Sequence, residues 1–204
     1  MGVDVDVVDY RRGRLTFDAD YEAVLGHEAR PFEINHDNFV LEASASARVR
    51  ATELAVAFHH ASRHLSDRSN SHIIAWNVLD LRAARQYTVG ASTLDARIAA
   101  GHVLQSTFVD YTWTADLHLS VRRPVSGRVG MFASGAGRLV GVDRAKVGRD
   151  RQCGARLETG VRIKGGAAAL ELFAGYERRI DGFPTERVRV RMFAFGFRLV
   201  GGSN

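Results

Sequence analysis

The chain has 204 residues, of which 46% are hydrophobic, and a formal net charge of +5. No stretch approaches the roughly 20 apolar residues of a membrane-spanning helix, which excludes a helical membrane protein. The basic residues are mostly arginines that alternate with apolar residues, a pattern that argues against nucleic-acid binding. Cys153 is the only cysteine, so neither an intrachain disulfide nor a zinc-type cysteine pair is expected.

Apolar and polar residues alternate with a period of two through most of the chain, which predicts β-strands. Leu15 and Phe17, for example, alternate with Thr16 and Asp18. The pattern predicts ten strands, at residues 15–25, 38–50, 53–64, 72–84, 87–100, 107–122, 127–140, 152–163, 167–178 and 186–200. In the last of these the alternation changes phase between Met192 and Phe193, which predicts either a β-bulge or a misread register there.

The connections between these strands are alternately long and short. Tight junctions are expected at residues 51–52, 85–86, 124–126 and 164–166, and longer polar ones at 26–37, 65–71, 101–106, 141–151 and 179–185. This is typical of an all-β, up-and-down antiparallel barrel with its loops at one end. We expect one domain over residues 1–204, with a lead-in at 1–13 and the barrel at 14–200. A soluble sandwich or a lipocalin-like barrel is the alternative.

Charged residues occupy one alternating face of the predicted strands, as Arg156 and Glu158 do beside Leu157. A polar inside and an apolar outside are typical of a transmembrane barrel. A barrel of about ten strands has a narrow lumen, so we expect ion pairs to plug it. The charges assigned inward are Glu42, Arg48, Arg50, Asp116, Arg122, Arg156, Glu158, Glu171, Glu177, Arg189 and Arg191.

The stretch FHHASRHLSD, at residues 58–67, interrupts the apolar outward pattern. The outward stripe of its strand continues as His60, Ser62 and His64, which are polar. On the next predicted strand, Asn77 is the polar member of an otherwise apolar outward stripe. If residue 60 pairs with residue 77, the polar interruptions meet on the outer wall.

These residue types suit acyl transfer. A serine hydroxyl becomes a nucleophile when a neighbouring imidazole takes its proton, and a third group must orient the imidazole. We therefore predict Ser62 as nucleophile, His60 as base and Asn77 as the orienting group, with His64 and Asp67 as accessory residues. His64-Leu65-Ser66 and His118-Leu119-Ser120 match the same short motif.

His60-Ala61-Ser62, followed by Asn77, resembles outer-membrane phospholipase A and the lipid A deacylase barrels, which carry His-Xaa-Ser on one strand and Asn or Glu on the next. The resemblance implies hydrolysis of ester-linked acyl chains of outer-leaflet lipid. Arg63 stands where those families usually have Asn, and the interval from Ser62 to Asn77 is longer than theirs. The wider string from His60 to Asp67 also resembles an uncharacterised family of bacterial outer-membrane barrels, which implies a fold and a compartment but no reaction.

Two other functions stay open at this point. A non-enzymatic membrane scaffold or interaction barrel with binding loops is the alternative, and a soluble barrel for a small apolar ligand ranks below it. No cofactor is predicted. A divalent cation is left open because His27, His36, His59, His60, His64, His72 and His102 lie toward the loop end, although no spacing among them singles out a metal site.

The expected location is the bacterial outer membrane. Residues 1–10 have neither a basic nor an apolar segment of the secretory kind, so a signal peptide is expected to be absent from this chain. The expected partners are membrane lipid and, among proteins, a second copy of the chain or other outer-membrane proteins.

Overall fold

The structure, a computed structural model, describes residues 2–26, 33–64, 74–148, 150–166, 168–183 and 188–201. The fold is all-β, as predicted. Its elements are β1 (Gly2–Asp9), β2 (Arg14–Gly26), β3 (Glu33–Val49), β4 (Thr52–His64), β5 (Ile74–Val89), β6 (Ser92–Thr107), β7 (Tyr111–Ser126), β8 (Val129–Val142), α1 (Arg144–Val147), β9 (Arg151–Lys164), β10 (Ala168–Phe183) and β11 (Val188–Gly201). The described residues contain no helix long and apolar enough to cross a membrane.

The strands form one antiparallel, up-and-down sheet in the order of the chain, from β1 to β11. The predicted number of ten is therefore wrong by one strand. The error lies in the expected lead-in, because Gly2–Asp9 pairs with β2 through contacts such as Val5 opposite Phe17. An alternation of valine with aspartate forms a strand here even though aspartate is disfavoured in sheets.

Three predicted connections lie inside strands, and one of them, the tight junction expected at residues 124–126, belongs to the end of β7. The tight junction expected at residues 85–86 belongs to β5, and the turn follows at Gly90, whose φ of 58° suits a residue without a side chain. The loop expected at residues 101–106 belongs to β6. Gly101 is needed there for space, since a Cβ at this position would lie 2.6 Å from Asp80 Cβ and 2.7 Å from Val78 Cγ1.

The chain divides into two compact units by its contacts. Unit 1 comprises Met1–Ala83, Ala99–Ala115 and Val140–Arg151, and unit 2 comprises Ala84–Ile98, Asp116–Leu139 and Gln152–Asn204.

In unit 1 the usual arrangement of apolar and charged residues is inverted along part of the sheet. On β5, Leu81 is 66% exposed whereas Asp80 beside it is 3% exposed. Toward the start of the same strand the inner face becomes apolar, with Ile74, Trp76 and Val78 all buried. Trp76 packs edge-on against Tyr111, with ring centroids 5.4 Å apart.

Unit 2 shows the same inversion on its last three strands. Its outer stripe on β11 consists of Phe193, Phe195, Phe197 and Leu199, of which Phe195 is 82% exposed, while Glu158 and Glu171 are buried. Of the two alternatives at Met192 the bulge is wrong, because β11 pairs with β10 without a shift from Gly201 to Val190. The strand was misread instead, since Arg191, assigned inward, is exposed on the same face as Phe193. The apparent change of phase arises because the inward residues Val190 and Met192 are themselves apolar.

Candidate active site

The residues predicted to form the site lie in unit 1, on the outward face of β4 and β5. Leu54, Val56 and Phe58 are exposed on β4, while Ala57 and Ala61 on the opposite face are buried. Because side chains alternate along a strand, His60, Ser62 and His64 share the outward face with Leu54. Asn77 lies on the outward face of β5, between the buried Trp76 and Val78.

The structure brings His60 and Asn77 together. His60 Nδ1 lies 2.6 Å from Asn77 Oδ1, a short hydrogen bond. A carboxamide oxygen only accepts hydrogen bonds, so Nδ1 carries the proton and donates it. In a neutral imidazole with this tautomer, Nε2 has the lone pair and can act as a base.

Ser62 follows His60 by two residues on the same face and is half-buried. In the pairing of β3 with β4 it lies opposite Phe39, while His60 lies opposite Leu41. At a rise of about 3.4 Å per residue the two backbones are roughly 7 Å apart, a gap that the histidine ring and the serine hydroxyl can span together. In the described residues Ser62 makes no hydrogen bond that would hold its hydroxyl elsewhere.

A residue that the sequence did not reveal completes the contacts of Asn77. Its Nδ2 donates to Gln105 Oε1 on β6 at 3.5 Å, the long limit for a hydrogen bond. Donation by Nδ2 on one side leaves Oδ1 facing His60 on the other. Gln105 carries no motif, and only the placement of β6 beside β5 could have identified it.

Aromatic side chains border Ser62 on the neighbouring strands. Phe39 on β3 packs edge-on against His64, with centroids 5.4 Å apart, and its ring is tilted against that of Tyr21 on β2, with centroids 5.0 Å apart. The Tyr21 hydroxyl donates to Asp37 Oδ1 at 2.8 Å. His64, predicted as an accessory residue, thus lies on the same face as Ser62. The other predicted accessory residue, Asp67, lies outside the described residues, as do His27 and His72.

The short motif His-Xaa-Ser has a second copy in the described chain, at His118 and Ser120 on β7. Ser120 lies on the face opposite the exposed Leu117 and Leu119, and its hydroxyl donates to Asp95 Oδ2 at 3.4 Å. This copy therefore lies within an inward polar cluster, whereas the copy at His60 lies on the outward face.

The inward face behind the site carries a network that the sequence predicted only in part. Arg82 binds both Glu42 and Asp80, and Asp80 also accepts a hydrogen bond from His59 Nδ1 at 3.2 Å. Glu42 was expected to be neutralised by an ion pair, and it is. In the described parts of the chain, no group of three or more histidine, cysteine or acidic side chains is arranged to hold a metal ion.

No family model, curated protein or solved structure matches the chain.

Proposed function

We propose that the protein is an integral outer-membrane β-barrel that hydrolyses ester-linked acyl chains of outer-leaflet lipid, with Ser62 as nucleophile, His60 as base and Asn77 as orienting group. The main observation in support of hydrolysis is the 2.6 Å contact between His60 Nδ1 and Asn77 Oδ1 on the outward face. It joins residues 17 positions apart in the sequence. It also fixes the tautomer that base catalysis needs.

The membrane part of the proposal rests on the inversion of polarity. Apolar side chains such as Phe58, Leu81 and Phe195 are exposed, while Asp80 and Glu171 are buried. Lipid is a favourable environment for the first group, and ion pairing inside a narrow lumen satisfies the second. An apolar outer surface of this extent in water would favour aggregation.

The position of the site along β4 suits an interfacial substrate. Leu54, Val56 and Phe58 provide an apolar strip for an acyl chain, and the strip ends at His60. Tyr21 and Phe39 beside Ser62 are aromatic residues of the kind that occupy the level of the lipid headgroups. An ester bond at the junction of acyl chain and headgroup would therefore lie next to Ser62.

The reaction proceeds in two steps of acyl transfer. Ser62 Oγ attacks the ester carbonyl carbon while its proton passes to His60 Nε2. The bond to the leaving alcohol breaks, and His60 returns the proton to that oxygen. Water then attacks the acyl-serine, with His60 again taking and returning a proton, and the fatty acid leaves. Asn77 accepts a hydrogen bond from the imidazole throughout and keeps Nε2 directed toward the serine.

The test is acyl release by purified protein reconstituted in phospholipid or lipid A vesicles, with insertion verified by resistance to alkaline extraction. We expect Ser62→Ala to lower the rate by at least about a thousandfold, because removal of the nucleophile leaves only residual catalysis. Ser120→Ala is the matched control and should leave the rate unchanged.

Equal rates for the parent and Ser62→Ala would refute the hydrolase. Release of the protein from vesicles by alkali would refute the membrane barrel. An inserted protein that releases no fatty acid from either lipid would favour the scaffold alternative.

A further inference from the structure

Two adjacent histidines on β4 bind side chains of β5 on opposite faces of the sheet. His60 Nδ1 contacts Asn77 on the outward face at 2.6 Å, and His59 Nδ1 contacts Asp80 on the inward face at 3.2 Å. The two acceptors lie three residues apart on β5, so one short stretch of each strand forms both contacts. A shift of β4 along β5 would therefore change the geometry of both contacts at once.

The inward contact belongs to a network that joins three strands. Arg82 donates to Asp80 through Nε at 2.6 Å and through Nη2 at 3.0 Å. It also binds both carboxylate oxygens of Glu42 on β3, with Nη2 at 2.6 Å from Oε2. Glu42 lies opposite His59 in the pairing of β3 with β4. The alignment of β3, β4 and β5 is thus specified by charged side chains on the inner face.

Burial makes this alignment hard to change. A shift of one residue would turn Asp80 and Arg82 to the outward face and Leu79 and Leu81 to the inward face. A shift of two residues would keep the faces but would change the distances from Asp80 to His59 and from Asn77 to His60. Asp80 is almost fully buried, so a loss of partners there is strongly unfavourable.

A fourth strand holds Asp80 in place from the other side. At Gly101 on β6 there is no space for a side chain, because Asp80 and Val78 occupy it. Asp80 therefore packs against β6 through its Cβ, while its carboxylate accepts hydrogen bonds from His59 and Arg82.

We propose that Asp80, together with His59, Arg82 and Glu42, is a positioning group for the outward site. The inward network fixes the register in which Asn77 meets His60. This inference rests on the proposed function for its effect on activity, but the geometric part can be measured without any activity.

The test is disulfide cross-linking between β4 and β5 in a Cys153→Ser background. His60→Cys with Asn77→Cys should cross-link readily, because the two side chains are in contact across neighbouring strands on the same face. Addition of Asp80→Ala should lower the cross-linking rate of this pair about tenfold. The same substitution should raise the cross-linking rate of His60→Cys with Ala75→Cys or with Leu79→Cys. Asp80→Asn, whose single Oδ1 can accept from His59 Nδ1 and Arg82 Nη2 as Asp80 Oδ2 does but loses the bond from Arg82 Nε, should restore part of the original rate.

Glu171→Ala is the matched control, since it removes a buried carboxylate from the ion network of unit 2 and should leave this cross-link unchanged. Where Asp80→Ala does not fold, Arg82→Lys replaces it, because lysine cannot bind two carboxylates in bidentate fashion. In the protein with His60 and Asn77 intact, Asp80→Ala should lower kcat about tenfold with little change in KM.

An unchanged cross-linking rate in folded Asp80→Ala or Arg82→Lys would overturn the positioning role, whatever the activity. A reduced rate in a protein that shows no acyl release would support the positioning role and refute the hydrolase.

Discussion

The two units each contain a buried ion network centred on one arginine, but the two networks differ in their charge balance. In unit 1, Arg82 binds Glu42 and Asp80, so two carboxylates share one guanidinium and a histidine. In unit 2, Arg198 binds Glu158 and Glu171, and Arg156 and Arg162 bind the same two carboxylates.

The difference shows which network depends on a single residue. Loss of Arg82 leaves two carboxylates without a guanidinium in the described structure, whereas loss of Arg198 leaves each carboxylate with another arginine. Arg198 also lies over the rings of Phe132 and Phe173, with its guanidinium 5.4 and 5.0 Å from their centroids. The network of unit 2 is thus redundant, and that of unit 1 is not. The proposed active site lies on the opposite face of β4 and β5 from the network of unit 1, which is the network without redundancy.

The largest expected effect comes from the two central arginines. Arg82→Ala should lower the free energy of unfolding by about 3 kcal/mol, because it leaves buried carboxylates uncompensated. Arg198→Ala should lower it by about 1 kcal/mol, because its partners keep other arginines and its side chain is partly exposed. Urea titration in detergent micelles measures both. Equal losses would contradict the difference in redundancy.

A second comparison concerns packing behind the network of unit 1. Gly101→Ala should cost about 2 kcal/mol, since a methyl group there overlaps Asp80 and Val78. Gly137→Ala on β8 is the control, because nothing lies within 4 Å of its added methyl group, and a change within about 0.5 kcal/mol is expected. A neutral Gly101→Ala would show that β6 does not support Asp80. Thermal unfolding of the two variants in the same micelles gives this comparison.

The smallest effect is expected at the rim of the network in unit 2. The Arg156 side chain is half exposed, and its partner Glu158 keeps Arg198. Arg156→Ala should therefore change the free energy of unfolding by less than about 0.5 kcal/mol. A loss as large as that of Arg198→Ala, measured in the same urea titration, would show that the flanking arginines are not interchangeable.

Alternation along single strands was sufficient to predict the outward face of β4 and β5, but the meeting of His60 and Asn77 needed an assumed pairing of residue 60 with residue 77. The ends of strands were harder to predict, because Arg85 and Gln86 look like turn residues. Gln86 instead donates from within β5 to Asp95 on β6 at 2.7 Å. Polar residues are typical of turns, so polar side chains within a strand are easily assigned to a turn when their partners on the next strand are not known.

The inward partners could not be predicted from the sequence for a related reason. The contact of His59 with Asp80 depends on the register between two strands, and a strand pattern fixes faces but not register. The catalytic role proposed for Ser62 depends on chemistry that neither the alternation nor the register reveals.

The edge strand β1 has a consequence for solubility during assembly. Its residues are exposed along the whole strand, and it carries aspartate at positions 4, 6 and 9. The unpaired backbone groups of an exposed edge strand can pair with a strand of another chain, and such pairing leads to aggregation. Like charges placed opposite one another disfavour such pairing, so a second copy of Gly2–Asp9 would meet repelling carboxylates. The acidic character of this strand protects a sheet whose outer surface is otherwise rich in apolar residues.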